Sequence, residues 1–418
     1  MNDKLRQRRD FIQNIIITVL TVSAVLLFLQ TQFNALGPTS PLHRLLRGPG
    51  QNGANDAAQA QSLSAPVRWA VSSPYGRCAA ASTLETDETL RGLLREALGS
   101  TETFSACGKE EFLGALQEGV SVYFDFFSPL PLSVLAEKAG ASAADETAAR
   151  YLVLSGTETD TVLYVWDGGK DCRRCTTAVS RKTLDDTLAG YELGSAAFAM
   201  DLDTPHADAL APCSLFLYET PALPVLTALT PDYDRNTLLA GLGFNPNTKN
   251  SYTDNDTEVI SEEGRSLRLR ADGDITYQGG DGTLRIDSAD TLPTLAEATD
   301  GAGTLVSSLL SASAGEEALY LTGVRRSGET TTVTFGYHSG GVPIRFSDGE
   351  DAACVTLDGA AVTALTLRVR HYAASQSDSV LLPLKQALAI AARYPGCELR
   401  IGYADRGGAT VDAAWLAG

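Results

Sequence analysis

Residues that could do acid–base or metal chemistry are few in this chain and lie far apart. None of the four histidines has a second His or Cys within five residues, so none has a neighbour at the spacing of metal ligands: His43, His206, His338 and His371. The sequence contains no G-x-S-x-G, S-x-x-K or H-E-x-x-H motif and no Walker loop. These observations predict a non-enzymatic protein without a metal or a cofactor.

The seven cysteines are too few and too scattered for a disulfide scaffold. Cys172 and Cys175 form a C-x-x-C motif, but zinc would need two further ligands, and no second C-x-x-C or H-x₃₋₅-H occurs. The motif lies in DGGKDCRRC, between the strand-like runs VLYVW and TTAV, which predicts the tip of a hairpin. A local disulfide between Cys172 and Cys175 is therefore favoured over a metal site. A redox role would need a helix after the first cysteine, and TTAVS is not helical in pattern.

One apolar run, FIQNIIITVLTVSAVLLFLQTQF at 11–33, is long enough to cross a bilayer, since 23 helical residues extend roughly 34 Å. Basic residues precede the run at positions 4, 6, 8 and 9, which predicts a single-pass anchor in the cell membrane with a cytoplasmic N-terminus. The bulk of the chain is then extracytoplasmic. The alternative is a cleaved signal peptide with its site near 35–37, but the run is long and polar residues come before that site.

Polar residues follow one face of this predicted membrane helix. Asn14, Thr18 and Thr21 are spaced i, i+4, i+7, and Val25 continues the stripe. Such a face is typical of contact with a partner helix, because small and polar side chains allow close approach and hydrogen bonding. The alternative, in which the threonine hydroxyls bond the carbonyls of their own helix, remains equally open.

Composition indicates a folded outer region, because 44% of residues are hydrophobic. The formal net charge of −18 argues against binding to nucleic acid. The predicted fold class is α+β, with one N-terminal transmembrane helix, an extracytoplasmic α+β domain and two β-rich modules that each contain a helix. The predicted order is a cytoplasmic stub (1–10), the transmembrane helix (11–33), a flexible tether (34–66), the α+β domain (67–222), a β-rich module (223–312) and a C-terminal β-rich module (313–418).

The two modules are inferred from a repeated order of hairpins and one helix. Asp272-Gly273 lies between two strand-like runs and predicts a tight hairpin. A helix is predicted from Leu292 to about Leu310, and another begins near Leu382-Pro383. In both halves the hairpins come before a helix that starts near a Leu-Pro pair.

The chain as a whole resembles the YycH/YycI-like family of membrane-anchored regulators of the cell-wall sensor histidine kinase in Gram-positive bacteria. The similar features are a basic stub, one N-terminal span and an outer region that ends in paired β-rich modules. The locally similar segments are LRLRADGDITY (267–277), TFGYHSGGVPI (334–344) and IGYADRG…AAWL (401–416). The C-x-x-C motif and the alanine-rich, acidic composition depart from the family's pattern.

The resemblance implies a non-enzymatic regulator whose partners are the membrane helices of the sensor histidine kinase and a paralogous regulator. It transfers no catalytic residue, and the helix face with Asn14, Thr18, Thr21 and Val25 is our own candidate for the contact. The alternatives are a tethered cell-envelope binding or assembly protein and, less favoured, an envelope hydrolase.

Overall fold

The computed structural model describes residues 65–81, 88–100, 103–138, 147–218, 223–229, 233–248, 250–279, 284–288, 290–310 and 317–418. The helices in these residues are α1 (Glu88–Gly99), α2 (Lys109–Glu118), α3 (Leu132–Lys138), α4 (Arg181–Leu188), α5 (Arg235–Gly241), α6 (Leu295–Leu310) and α7 (Leu384–Ala391). Two short 3₁₀ helices span Ala199–Asp201 and Ala207–Ala209.

The N-terminal half forms a nine-stranded antiparallel sheet, here called the first sheet. Its strands are β1 (Arg68–Ser73), β2 (Gly76–Ala81), β3 (Ser105–Ala106), β4 (Ser121–Pro131), β5 (Ala148–Gly156), β6 (Thr161–Trp166), β7 (Cys172–Thr177), β8 (Ala196–Phe198) and β9 (Leu215–Leu217). Their order across the sheet is β3-β7-β6-β5-β4-β1-β2-β8-β9.

Both faces of the first sheet are covered, so alternate residues of its central strands enter two cores. Val122 and Phe124 of β4 belong to the same core cluster as Leu90 of α1, whereas Tyr123 packs in a second cluster with Phe112 of α2. A strand buried on both faces reads as a continuous apolar run rather than an alternating one. VYFDF in β4 has this pattern, with Asp125 as its one charged residue.

The C-terminal half forms an eleven-stranded sheet, here called the large sheet, and a three-stranded sheet. The large sheet contains β11 (Ser251–Asp254), β12 (Thr257–Glu262), β13 (Arg265–Arg270), β14 (Asp274–Gln278), β15 (Glu317–Ser327), β16 (Thr330–Ser339), β17 (Val342–Phe346), β18 (Ala353–Asp358), β19 (Ala361–Arg368), β21 (Leu399–Asp405) and β23 (Ala413–Ala417). Its order is β11-β12-β13-β14-β19-β18-β16-β17-β21-β23, and β15 pairs with β16. The pairing of β17 with β21 is parallel. The three-stranded sheet has the order β20 (His371–Asp378), β10 (Pro224–Leu229), β22 (Thr410–Val411).

The two halves pack directly against each other. The ring of Phe127, in β4, lies 6.2 Å from the ring of Tyr320, in β15. At the contact between α3 and α6, the ammonium of Lys138 pairs with Asp300. A single cluster of buried hydrophobic residues runs from Trp69 to Ala413, and all described residues belong to one compact unit, Asp56–Gly418.

The predicted fold class is wrong. The two expected β-rich modules are not separate, because β14 pairs with β19 inside the large sheet and β10 pairs with β20 and β22 in the three-stranded sheet. Each of these pairings crosses the expected boundary at 312/313. Within the described ranges, no helix combines the length and the apolar character needed to cross a membrane. The predicted span at 11–33 lies outside the described residues, as do the stub and most of the tether.

Strand β10 is the middle strand of its sheet, so its buried side chains should contribute to the stability of the C-terminal half. Leu226 is fully buried there, so Leu226→Ala should lower the free energy of unfolding by about 2 to 5 kcal/mol. Leu229 lies on the same strand with 37% of its surface exposed, and Leu229→Ala should cost less than about 1 kcal/mol. Urea unfolding of the two variants measures both effects, and equal losses would show that β10 is not packed as described.

Candidate functional site, a charged cleft

A cleft with a volume of about 500 Å³ lies where four connections of the C-terminal half meet. Residues lining it come from 270–274 between β13 and β14, 346–350 after β17, 368–370 between β19 and β20, and 405–407 after β21. Two of the segments behind the family resemblance, 267–277 and 401–416, therefore supply part of its lining. The third, 334–344, ends two residues before Phe346.

The hairpin predicted at Asp272-Gly273 is confirmed and shapes one wall of the cleft. Gly273 has a φ of +98°, a conformation that residues with a β-carbon rarely adopt. Its amide donates to the carbonyl of Arg270, and the amide of Asp274 donates to the Asp272 carboxylate. The tight turn thereby places both carboxylates on the lining.

Arg368 forms one side of the cleft floor and is held from several directions. Its Nη2 atom lies 2.7 Å from Oδ2 of Asp348 and 2.8 Å from Oε2 of Glu350, and its Nε atom lies 3.6 Å from Oδ1 of Asp274. The guanidinium also stacks over the ring of Phe346, with 4.6 Å from Cζ to the ring centroid. These contacts fix a long side chain that would otherwise sample many rotamers.

Arg370 and Asp405 form the other side of the floor. Arg370 Nη2 lies 3.0 Å from Oδ1 of Asp405, and its Nε atom contacts the other carboxylate oxygen. The same carboxylate accepts hydrogen bonds from the Tyr372 hydroxyl and from the amide of Gly407, both at 2.7 Å. Burial alone would lower the pKa of Arg370, but the hydrogen bond and charge of Asp405 outweigh it and raise that pKa.

The rim of the cleft carries charges of both signs, because the exposed Arg270 and Arg406 lie there together with three exposed carboxylates, whereas the floor is basic. The side chains of Asp272, Asp348 and Glu350 are 53%, 48% and 73% exposed, while those of Arg368 and Arg370 are only 17% and 18% exposed. A hydrogen bond from Arg368 lowers the pKa of Asp348, so that carboxylate stays ionised to a lower pH than an ordinary aspartate. Arg270, Arg368 and Arg370 are each paired with a carboxylate. Among the charged residues of the lining, five are carboxylates and four are arginines, so the cleft carries a small excess of negative charge.

This arrangement suits the binding of a cationic group better than catalysis. Among the described residues that line the cleft, Ser347 has the only hydroxyl side chain, and none is His or Cys. Exposed carboxylates held by half-buried arginines offer several fixed acceptors to lysine or arginine side chains. Partial burial raises the pKa of Asp274, deeper in the cleft, while Arg368 opposes that shift.

Two histidines are buried elsewhere in the C-terminal half. Nδ1 of His371 pairs with Glu317, and Nδ1 of His338 accepts from the amide of Gly341. Burial lowers the pKa of His338 to about 4, so its imidazole is neutral at neutral pH. In the described part of the chain, neither Nε2 atom has a hydrogen-bond partner. No serine or cysteine there is placed to be activated by either imidazole.

A second charged group, here called the buried ion cluster, joins the two halves: Arg68 on β1, Asp125 on β4, Arg150 on β5 and Glu398 just before β21. Arg68 donates from Nε to Oδ2 of Asp125 at 3.2 Å and from Nη2 to Oε1 of Glu398 at 2.7 Å. Arg150 donates to the other oxygen of Glu398, and its Nε atom lies 3.6 Å from Asp125. The side chain of Asp125 is fully buried, and that of Glu398 is 5% exposed.

The positive charge around Glu398 outweighs the effect of its burial. Burial by itself would raise the pKa of this carboxyl, but Arg68, Arg150 and Arg400 together lower it to about 2. The guanidiniums of Arg68 and Arg400 also lie over the ring of Phe127, at 4.7 and 5.2 Å from its centroid. The ion cluster is thus packed between aromatic and charged neighbours rather than solvated.

The predicted pairing of Cys172 with Cys175 does not fit the strand. Both residues lie within β7, which begins at Cys172, so the motif is not at the hairpin tip. Three residues of extended chain separate their α-carbons by roughly 10 Å, beyond the reach of a disulfide. Cys172 instead contacts Cys107, and the thiol of Cys175 donates to the carbonyl of Thr176. The described residues contain no group of three or more His, Cys, Asp or Glu that could hold a metal ion.

The predicted helix face with Asn14, Thr18, Thr21 and Val25 lies outside the described residues, and its contact with a kinase stays a prediction. The cleft and the buried ion cluster were not predicted as sites. The alternation of arginines at 368 and 370, in the strand-like run TALTLRVRHY, was a signal for the cleft, because it predicts two cations on one face, although in the structure Arg370 lies just beyond the end of β19. Nothing local in the sequence indicates the pairing of Arg68 with Glu398.

Removing the charge of Glu398 should destabilise the protein, because it leaves Arg68 and Arg150 to share the one carboxylate of Asp125. Glu398→Gln should lower the free energy of unfolding at neutral pH by about 3 to 5 kcal/mol. In the wild type the unfolded carboxyl takes up a proton near its ordinary pKa of 4.5, whereas the folded one does so only near 2. The stabilisation is therefore present above about pH 4.5 and is lost as the pH falls towards 2, and Glu398→Gln should lack this part of the pH dependence.

Urea unfolding followed by circular dichroism at several pH values measures this effect. Glu350→Gln is the matched control, since that side chain is 73% exposed and its loss should cost less than about 1 kcal/mol. A loss for Glu398→Gln as small as that of the control would contradict the role given to the ion cluster.

Comparison with known proteins yields no relative: no family model, no curated protein and no solved structure matches this chain.

Proposed function

We propose that this chain is a non-enzymatic, membrane-anchored regulator of a two-component sensor histidine kinase that controls cell-wall homeostasis. In this proposal the charged cleft binds a basic segment of the kinase's extracytoplasmic part. The observation that carries it is the set of three exposed carboxylates, Asp272, Asp348 and Glu350, in a lining where carboxylates outnumber arginines five to four.

Pre-arranged charges support recognition of a macromolecular partner. Because Arg368 holds Asp348 and Glu350 by short ion pairs, little side-chain entropy is lost when a partner's cation meets them. The net charge of −18 adds a long-range attraction for a basic partner, which raises the rate of association. A rim of this kind gives specificity through the positions of its charges.

The compactness of the outer region supports a regulatory role. Regulation requires that the protein bind two states of the kinase with different free energies. A body in which both halves share one core presents its cleft in a fixed geometry, so it can fit one kinase state better than the other. A flexible string of modules would adapt to both states and would discriminate less.

The membrane part of the proposal is supported by the sequence pattern alone. The apolar run at 11–33 and the basic residues before it favour an anchor with the bulk of the chain outside the cell. The stripe of Asn14, Thr18, Thr21 and Val25 favours contact with the membrane helices of the kinase or of a paralogous regulator.

The cleft is tested by removing two rim charges in the full-length chain. Asp348→Asn with Glu350→Gln should weaken association with the full-length kinase about tenfold, because two charge pairs at the edge of an interface are lost. The measurement is the dissociation constant of the two proteins in lipid nanodiscs. The affinity of the wild type should also fall with added salt, whereas that of the double variant should fall less.

The matched control makes the same change in charge and side-chain type on the first half of the chain. Glu192 and Asp203 are exposed, so Glu192→Gln with Asp203→Asn should leave the affinity unchanged. Equal affinity for both double variants, or no association at all, would contradict the proposed function. If the double variant of Asp348 and Glu350 instead loses binding to purified wall polymer and keeps binding to the kinase, the chain is better described by the alternative, an envelope binding or assembly protein.

A further inference from the structure

Two cysteines that are far apart in the sequence meet at the outer edge of the first sheet. Cys107 directly follows β3, and Cys172 is the first residue of β7. In the register of these antiparallel strands, Ser105 lies opposite Arg174 and Ala106 opposite Arg173, so Cys107 lies opposite Cys172. The amide of Cys107 donates to the carbonyl of Cys172 at 3.0 Å, which extends the ladder to this pair.

The side chains of the pair are in direct contact. Their sulfur atoms are 2.7 Å apart. Directly opposed residues of antiparallel strands have α-carbons about 4.5 to 5.5 Å apart, within the range that a disulfide requires. No backbone movement is therefore needed to join these two residues.

We propose that Cys107 and Cys172 are the site of a disulfide bond in the mature protein. In the reaction each thiol loses a proton and the pair loses two electrons as the sulfur–sulfur bond forms. The oxidant is the disulfide of a thiol–disulfide oxidoreductase, which first forms a mixed disulfide with one cysteine and leaves as a dithiol. The inference rests on the strand register and on the extracytoplasmic location that belongs to the proposed function, and it does not depend on the identity of the partner.

The bond would hold one edge of the first sheet. Strand β3 has only two residues, and its backbone pairs with β7 alone. A disulfide here links positions 65 residues apart and encloses α2, β4, α3, β5 and β6. Restricting a loop of this length in the unfolded chain stabilises the folded state.

The surroundings of the pair indicate when the bond forms. Burial raises the pKa of the Cys107 thiol and that of the Cys172 thiol. Because thiol–disulfide exchange needs a thiolate and access, the pair reacts slowly once it is packed. Cys172 is buried and Cys107 is half-buried, so the bond should form more readily before Cys172 is packed.

The direct test uses the wild-type full-length chain, purified from a host that exports it. Free thiols are alkylated under denaturing, non-reducing conditions, and the protein is then digested and analysed by mass spectrometry. The expected result is one linked peptide pair that contains Cys107 and Cys172, with Cys175 alkylated. Alkylation of both Cys107 and Cys172, or a link between Cys172 and Cys175, would overturn the proposal.

Stability gives a second, independent readout. The variant with Cys107→Ser and Cys172→Ser should melt about 5 °C below the wild type without reductant. Cys175→Ser is the control and should keep the linked peptide. Dithiothreitol should cleave the wild-type bond faster in urea, which exposes Cys172, than in the folded protein, and equal rates would contradict the burial of Cys172.

Discussion

The buried ion cluster is the constraint on which the rest of the structure depends. Ions inside a protein are tolerated only when each one is paired, because the loss of hydration costs several kcal/mol per charge. Arg68, Asp125 and Arg150 come from adjacent strands of the first sheet, and Glu398 comes from the other half of the chain. If the halves moved apart, or if β21 slipped along its neighbours, Glu398 would move away from Arg68 and Arg150. The negative charge near the two arginines would then be too small to balance them. The cluster therefore fixes the position of β21 against the first sheet.

The same strand connects the ion cluster to the charged cleft. Glu398 lies immediately before β21, and Asp405, the partner of Arg370, is its last residue. The parallel pairing of β21 with β17 places Phe346 beside Asp405, and Phe346 is the ring on which Arg368 stacks. The cleft thus receives its geometry from a strand whose other end is held by buried charges, which favours a fixed recognition surface.

Local features were predictable from the sequence, whereas long-range pairings were not. The hairpin at Asp272-Gly273 follows from turn chemistry, and the helix predicted over 292–310 is α6, Leu295–Leu310. Its first turn begins later because Thr294 caps it, with the hydroxyl of Thr294 accepting from the amide of Glu297. The predicted division into two modules was wrong because β14 pairs with β19, which lies far along the chain. The periodicity of a sequence indicates local structure and does not predict such a long-range contact. The predicted disulfide between Cys172 and Cys175 does not fit because both cysteines lie in the extended strand β7, too far apart to be joined.

The claim that the ion cluster makes both halves one cooperative unit is tested most directly by the three tryptophans. Trp69 and Trp166 lie in the first sheet, on β1 and β6, and Trp415 lies in the large sheet, on β23. Variants that keep only Trp166 or only Trp415, with phenylalanine at the other two positions, report each half by fluorescence during urea unfolding. For each variant, fluorescence and far-ultraviolet circular dichroism should give the same midpoint and the same slope. A fluorescence transition of either tryptophan that is separate from the loss of secondary structure would contradict the account.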